Sequence, residues 1–254
     1  MDRLKDKVAI ITGGAGGIGK TAGRLFADEG ANVLLVDLDE SALKAAVAEI
    51  GSNRVSYFAG DVTRAEDTQA MVATAEERYG GVDVLLANAG SEGDVAPLIE
   101  YDEARFDQVM AVNVKGVFLG LKSAVPAMMK RGGGSIVITS SVAGVGAAPG
   151  IGPYGASKHA VIGLMRSAAK EYAAAGIRVN TVNPSPVETR MMRSIESGMG
   201  EEDAAGVKER ISSNIPLQRY AEPEEIARVM LHLASDDSSW VTGSVNLVDG
   251  GMTA

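Results

Sequence analysis

Tyr154 and Lys158 carry the sharpest chemical signal in this 254-residue sequence, in the run Tyr154-Gly155-Ala156-Ser157-Lys158. Residues at i and i+4 share one face of a helix and lie about one turn apart. A phenol ionises near pH 10, so a tyrosine trading protons near neutrality needs a downward shift of about 2–3 units. A fixed ammonium beside it acts in that direction, because an opposite charge favours the phenolate. Tyr-x-x-x-Lys is also common on solvated helices, so its weight depends on what the rest of the chain provides.

The second signal is Thr12-Gly13-Gly14-Ala15-Gly16-Gly17-Ile18-Gly19. It sits where an apolar run should hand over to a helix. A dinucleotide needs such a place nearly free of side chains, so that backbone can approach the pyrophosphate and the helix N-terminus can stabilise its charge. Two registers fit, Gly14-x-Gly16-x-x-Gly19 and Gly13-x-x-x-Gly17-x-Gly19. Asp37 follows about 18 residues beyond Gly19, where an acidic side chain accepts hydrogen bonds from ribose hydroxyls and repels a 2′-phosphate. Neither the loop nor residues 37–41 contain Arg or Lys, so the expected cofactor is NAD. Asp61 has two readings, a partner for the adenine amino group or a cap for the following helix.

Composition narrows the alternatives. Glycine numbers 31 of 254, about 12% against an average near 7%, with no repeat to account for it. The net charge of −9 without Lys/Arg clusters argues against nucleic acid as the partner. Zero cysteines exclude disulfides, thiolate zinc and a cysteine nucleophile, and two histidines, His159 and His232, leave no metal site to expect. The apolar run 8–11 is too short for a signal peptide or a membrane span, so no membrane partner and a cytoplasmic location are expected.

The elements that must position these residues alternate along the chain. Strands are expected at 8–12, 32–37, 55–58, 84–87, 135–140, 177–182 and near 244–248. Most are apolar at successive positions, as in strands buried on both faces. Helices are expected at 18–29, 40–50, 65–79, 103–130, 154–175 and 223–234. This alternation predicts an α/β fold: a doubly wound, Rossmann-type parallel sheet of about seven strands with helices on both faces, as one domain over 1–254. Pro184-Ser185-Pro186 breaks the rhythm, and the stretch 187–215 is expected to form a mobile substrate lid.

Taken together, Thr12–Gly19, Ala87-Asn88-Ala89-Gly90, Asn113, Ser141, Tyr154 and Lys158 resemble, in order and spacing, the short-chain dehydrogenases/reductases. The resemblance runs from Lys7 to the closing Val241-Thr242-Gly243 and Asp249-Gly250-Gly251. It implies that Tyr154 exchanges a proton with the substrate oxygen and that Ser141, rather than Ser140, hydrogen-bonds that oxygen. It further implies that Lys158 holds the nicotinamide ribose and lowers the Tyr154 pKa, and that Asn113 positions a relay water. Cofactor contacts are implied for Gly13, Gly16, Gly17, Ile18, Gly19, Asp37, Leu38, Asp61, Val62, Asn88, Ala89, Gly90, Pro184, Val187 and Thr189, besides Tyr154 and Lys158. A homotetramer is implied, with the long helices at 103–130 and 154–175 packing across subunits. Two departures stand out: Ala87 precedes Asn88-Ala89-Gly90 where the family usually has Asn, and Ser185 follows Asn183-Pro184 where it usually has Gly. The second places a Cβ and a hydroxyl near the expected nicotinamide, on the backbone path and the pocket roof.

Loop positions 91–95 and 142–151 contain no Arg or Lys to fix a carboxylate, although Arg190 and Arg193 could act from the lid. Small and apolar residues at 144–151 and Met191, Met192 and Met199 favour a small-molecule substrate that is neutral and mainly apolar, an alcohol or ketone that could be cyclic. The methionines read equally as core filling of lid helices. Two other readings are an NADH-dependent reductase of 3-oxoacyl groups on acyl carrier protein, with Lys130-Arg131 as its docking patch, and a catalytically silent NAD-binding regulator.

Overall fold

Runs such as Val-Ala-Ile-Ile-Thr and Val-Leu-Leu-Ala have no polar face, so they are stable only where both faces of a sheet are covered. The structure, a computed structural model that describes residues 2–199 and 204–254, buries them in that way. Its elements run β1 (Val8–Thr12), α1 (Gly17–Asp28), β2 (Asn32–Asp37), α2 (Glu40–Ile50), β3 (Val55–Ala59), α3 (Ala65–Tyr79) and β4 (Val84–Ala87). They continue through α4 (Glu103–Met110), α5 (Gly116–Lys130), β5 (Gly134–Thr139), α6 (Gly152–Tyr172), β6 (Ile177–Pro184), α7 (Arg190–Gly198), α8 (Ala204–Ser213), α9 (Pro223–Ala234) and β7 (Val245–Val248).

The seven strands form one parallel sheet in the order β3-β2-β1-β4-β5-β6-β7. β1 lies between β2 and β4, with Ile11 opposite Leu35 on one side and Leu86 on the other. The chain therefore winds away from β1 in both directions, leaving a crevice at the carboxyl ends of β1 and β4 where ligands of such sheets bind. On one face α3, α5 and α6 cover Ile10, Leu34, Leu85 and Ile136 with Met71, Leu121, Val161 and Met165. On the other, α1, α2 and α9 cover Ile11, Leu35, Leu86 and Val137 with Phe26, Leu43, Ile226 and Met230. Truncating any of these buried aliphatics to alanine removes about 2–5 kcal/mol.

The expected single helix over 103–130 is interrupted by a wide π turn at Ala111–Lys115, between α4 and α5. By length and hydropathy this stretch could cross a membrane, yet half of its most apolar window is buried inside the molecule. Its apolar side is the wall of the core. The expected lid contains α7 and α8, and its part at 200–203 lies outside the described residues. Met192, Ile195, Ile215 and Tyr220 form a separate small core there, against which Val95, Met191 and Ile211 pack. Met192 is thus core filling, whereas Met199 is exposed.

Candidate active site

The glycine loop closes around its own backbone. Gly13 adopts a left-handed φ of 65°, and its carbonyl accepts the Gly16 N–H at 3.1 Å. A Cβ on Gly19 would fall within the Gly13 carbonyl oxygen, and one on Gly14 would come within 2.8 Å of Leu35 Cβ. Gly16 and Gly17 face outward, where a bound group can approach. Asp39 caps α2, Asp102 caps α4 and Thr189 caps α7 through their side chains, whereas α3, α5 and α6 have no such cap. α1 begins at Gly16 with no capping side chain and no acidic residue in its first turn. Bare N–H groups, a positive helix end and a Cβ-free approach fit the pyrophosphate of a dinucleotide.

Asp37 ends β2 beside this loop. Its carboxylate accepts the Ala15 N–H at 3.1 Å and the Leu38 N–H at 2.8 Å, so it also ties the loop to the sheet. Leu38 is largely exposed at the mouth. Asp61 closes the turn before α3 by accepting the Thr63 N–H at 2.8 Å, but it does not cap the helix: the N-cap is Arg64, whose side chain makes no capping hydrogen bond, which corrects the capping reading. Val62 packs over Gly116 at the start of α5.

A polar staple joins the strand ends. Thr12 Oγ1 accepts the N–H groups of Asn88 and Ala89 at 3.0 and 3.1 Å. Asn88 Nδ2 donates to the Thr12 carbonyl at 3.1 Å, and its Oδ1 accepts from Thr139 Oγ1 at 3.0 Å. Asn88 thereby spans β1, β4 and β5, fixing the backbone of Ala89 and Gly90. The Thr139 carbonyl in turn accepts from Lys158 Nζ at 2.8 Å.

Lys158 is buried on α6, with its Nζ 5.4 Å from the centre of the Tyr154 ring. A Cβ on Gly90 would sit 3.5 Å from that nitrogen, so Gly90 leaves its approach open. Burial lowers the Lys158 pKa to about 8. Tyr154 departs from expectation. Burial raises its pKa, the Ser141 hydroxyl opposes this by hydrogen bonding, and the Glu92 charge raises it further. In the protein alone the Lys158 charge does not overcome the desolvation of a phenolate.

Ser141 Oγ accepts the Ala143 N–H at 3.1 Å and makes a long contact to the Pro184 carbonyl at 3.4 Å. Its backbone carbonyl is held by Asn183 Nδ2 at 2.9 Å. Ser140 instead donates to the Lys158 carbonyl at 2.9 Å, buried away from the phenol. Asn113 lies in the π turn. Its Nδ2 donates both protons, to the Ser91 carbonyl and to Ser157 Oγ, each at 2.9 Å. Its Oδ1 accepts the Ser91 N–H at 2.8 Å, leaving one lone pair for the expected relay water.

The far wall begins after β6. The pairing of Pro184 with Val248 continues into a 3.3 Å bond from the Ser185 N–H to the Val248 carbonyl, and Ser185 has no left-handed backbone. Serine thus stands in place of glycine without strain. Val187 is buried and bridges to Ala221, while Thr189 caps α7 with its methyl facing Gly17 across the cleft. Arg193 is occupied by Glu188 at 2.7 Å and Glu196 at 2.8 Å, so it is not free to fix a substrate carboxylate.

The structure thus gathers Gly13–Gly19, Asp37, Asn88–Gly90, Asn113, Ser141, Tyr154, Lys158 and Thr189 along one crevice. Sequence reasoning gave no role to Thr139 or to the Thr12 and Ser157 hydroxyls, and placed Ser91 only in a substrate-contact loop. Thr139 holds Lys158 through its carbonyl, a group every residue has, so no side-chain pattern could announce it.

The family model described as enoyl-(acyl carrier protein) reductase matches residues 13–253. The chain is 41% identical to 2,5-dichloro-2,5-cyclohexadiene-1,4-diol dehydrogenase of Sphingobium indicum over 255 residues, covering 100% of both. It is 42% identical to 3-oxoacyl-(acyl-carrier-protein) reductase of Thermotoga maritima over 252 residues, 98% of this chain and 99% of the relative. The crystal structure of levodione reductase superimposes with a TM-score of 0.95 at 36% identity, covering 98% of each chain. A whole-length match in sequence and fold, with a glycine cradle facing Ser141, Tyr154 and Lys158, places this chain in the short-chain dehydrogenase/reductase family, oxidoreductases of alcohols and ketones.

Proposed function

We propose that this protein is an NAD-dependent dehydrogenase of neutral, mainly apolar secondary alcohols, cyclic ones included, working as a cytoplasmic homotetramer. The observation that carries the chemistry is the convergence of Ser141, Tyr154 and Lys158 beside the glycine cradle. When bound, the oxidised nicotinamide accepts the hydride and brings a positive charge. Tyr154 takes the proton from the alcohol oxygen as the carbon loses hydride, and returns it in the reverse direction. Ser141 donates a hydrogen bond to that oxygen, most strongly as negative charge develops on it. Lys158 holds a positive charge near the phenol in a water-poor site, where charge interactions are stronger than in bulk solvent.

The preference for NAD rests on the Asp37 carboxylate at the end of β2, which would repel a 2′-phosphate. Oxidation is the favoured direction because cellular NAD is mostly in its oxidised form. A panel of secondary alcohols with NAD and NADP, followed as reduced-cofactor formation, tests the reading. Roughly a hundredfold higher kcat/KM with NAD is expected, consistent with the repulsion of a close charge pair. Asp37→Asn, which keeps hydrogen bonding but removes the charge, should narrow that ratio at least tenfold. Equal use of both cofactors by the wild type refutes the assignment.

The acyl-carrier reading is favoured by the Thermotoga relative. Its expected basic patch is already engaged: Lys130 pairs with Glu76 at 3.1 Å and Arg131 with Asp83 at 3.2 Å. Purified 3-oxoacyl carrier with NADH separates the two, and faster turnover of the carrier than of any free alcohol or ketone would reverse our order.

A further inference from the structure

Near its carboxyl end β6 carries two polar side chains on a face that packs on the core. Val179, Thr181 and Asn183 alternate onto one side of the strand. Val179 belongs there to the same apolar cluster as Val161 and Met165 of α6. Thr181 and Asn183 are as fully buried as Val179. Burying a hydroxyl and an amide costs free energy unless both are hydrogen-bonded, and two aliphatic side chains would avoid that cost.

The two are bonded to each other and to the site. The Thr181 hydroxyl donates to Asn183 Oδ1 at 2.8 Å, and Asn183 Nδ2 donates to the Ser141 carbonyl at 2.9 Å. A carbonyl can only accept, so the amide nitrogen must face Ser141 and the amide oxygen Thr181. The backbone explains why a side chain is needed. The Ser140 N–H still donates to the Val182 carbonyl at 2.8 Å. The next bond of a parallel ladder would come from residue 184, and Pro184 has no N–H to give. The Asn183 amide carries the connection between β5 and β6 one residue past that break, to the serine whose hydroxyl bonds the Tyr154 phenol.

A serine hydroxyl has one proton and two lone pairs to place. The Ala143 N–H occupies one lone pair of Ser141 at 3.1 Å. The Pro184 carbonyl, at 3.4 Å, is too far to hold the proton firmly. That proton can turn to a substrate oxygen as long as the Ser141 backbone stays in place. We infer that Asn183 is a positioning residue for the reaction: backed by Thr181, its amide fixes the Ser141 backbone so that the hydroxyl meets the reacting oxygen. This rests on the reading of Ser141 given above and is independent of the choice of NAD and of the alcohol.

The test is a double-mutant cycle, run with the alcohol and cofactor that the wild type uses best. Asn183→Leu, close in volume to the amide, should lower kcat roughly tenfold while KM for the cofactor stays within about twofold. In a Ser141→Ala background the same substitution should change kcat by less than about twofold, because the group it positions is gone. A similar fall in both backgrounds, or no fall in the wild type, overturns the inference. Thr181→Val is milder and keeps the volume, so it serves even where Asn183→Leu does not fold. It should lower kcat by about threefold, the size of a weak neutral hydrogen bond, and Thr181→Ser should restore it. Wild-type kcat in Thr181→Val, or no recovery in Thr181→Ser, counts against the inference in the same way.

A readout without turnover separates this from the dehydrogenase reading. The Tyr154 ring carbon that bears the oxygen, followed by NMR in tyrosine-labelled protein and assigned with Tyr154→Phe, reports the hydrogen bond between Ser141 and Tyr154. Ser141→Ala, Asn183→Leu and the double variant should displace that resonance alike. A wild-type resonance in Asn183→Leu overturns the inference whatever kcat does. A common displacement in a protein that oxidises no alcohol sinks the dehydrogenase reading and leaves Asn183 as the residue that positions Ser141.

Discussion

Tyr154 and Lys158 show how strongly burial governs this chemistry. A phenol and an ammonium face each other across 5.4 Å, and desolvation pushes the first pKa up and the second down to about 8. Both shifts disfavour charge, so the protein alone holds a protonated phenol beside an ammonium that is easily neutralised. Tyr154→Phe removes the phenol proposed to move the proton and should leave NAD binding nearly intact. Its kcat should fall below a tenth of wild type, and by roughly a hundredfold or more, as for loss of a general acid–base. Lys158 offers a separate test in the cofactor-free protein. Folded, it releases its proton near pH 8, whereas unfolded it holds the proton to about 10.5. The unfolded state therefore binds more protons between those values, and stability rises with pH across that window. From pH 8 to 9.5 the Lys158 contribution is about 2 kcal/mol. Denaturant midpoints at the two pH values should show this rise in wild type and lose it in Lys158→Met. An equal rise in both proteins would mean that Lys158 titrates normally.

At the scale of elements, the catalytic groups are presented by strand ends and helix starts. The strand-to-helix handover at Gly13–Gly19 works because a Cβ at Gly19 has no space beside the Gly13 carbonyl. Gly19→Ala must open that turn, so NAD affinity should fall at least tenfold in equilibrium fluorescence titration, with lower thermal stability. Gly163, exposed on α6 with nothing within 4 Å of a built Cβ, is the control. Gly163→Ala should leave NAD affinity as it is. Much of this level was legible in the sequence, because buried parallel strands and glycine handovers leave patterns of period and composition. The π turn at Ala111–Lys115 was not, since Ala-Val-Asn-Val-Lys is ordinary helical sequence. It exists because Asn113 is drawn toward Ser91 and Ser157, partners far away in the chain. Ser185 could not be judged from sequence either, because its cost depends on backbone dihedrals that only the pairing of β6 with β7 sets.

For the whole molecule, the exposed apolar surface bears on assembly. On α5, Phe118 is 47% and Met129 53% exposed, and Trp240 before β7 is 99% exposed. These side chains remain outside after both core layers are filled, and the proposed tetramer would cover those on α5. If α5 packs across subunits, Phe118→Glu should shift sedimentation from tetramer to a smaller species and lower activity. A wild-type monomer by sedimentation would remove the tetramer from the proposal. The chain's own residue types and their spacing determined the α/β class, the strand and helix order and the cofactor cradle, and singled out Tyr154 and Lys158, while the role of Ser141 came from the family resemblance. These depend on local periodicity and on chemistry that few residue types can perform. Only the tertiary structure decided which way the Tyr154 pKa moves, which basic residues are already paired, and that the Thr139 carbonyl holds Lys158. Each of those is a matter of desolvation and distance between segments far apart in the chain, and neither quantity is carried by any single stretch of sequence.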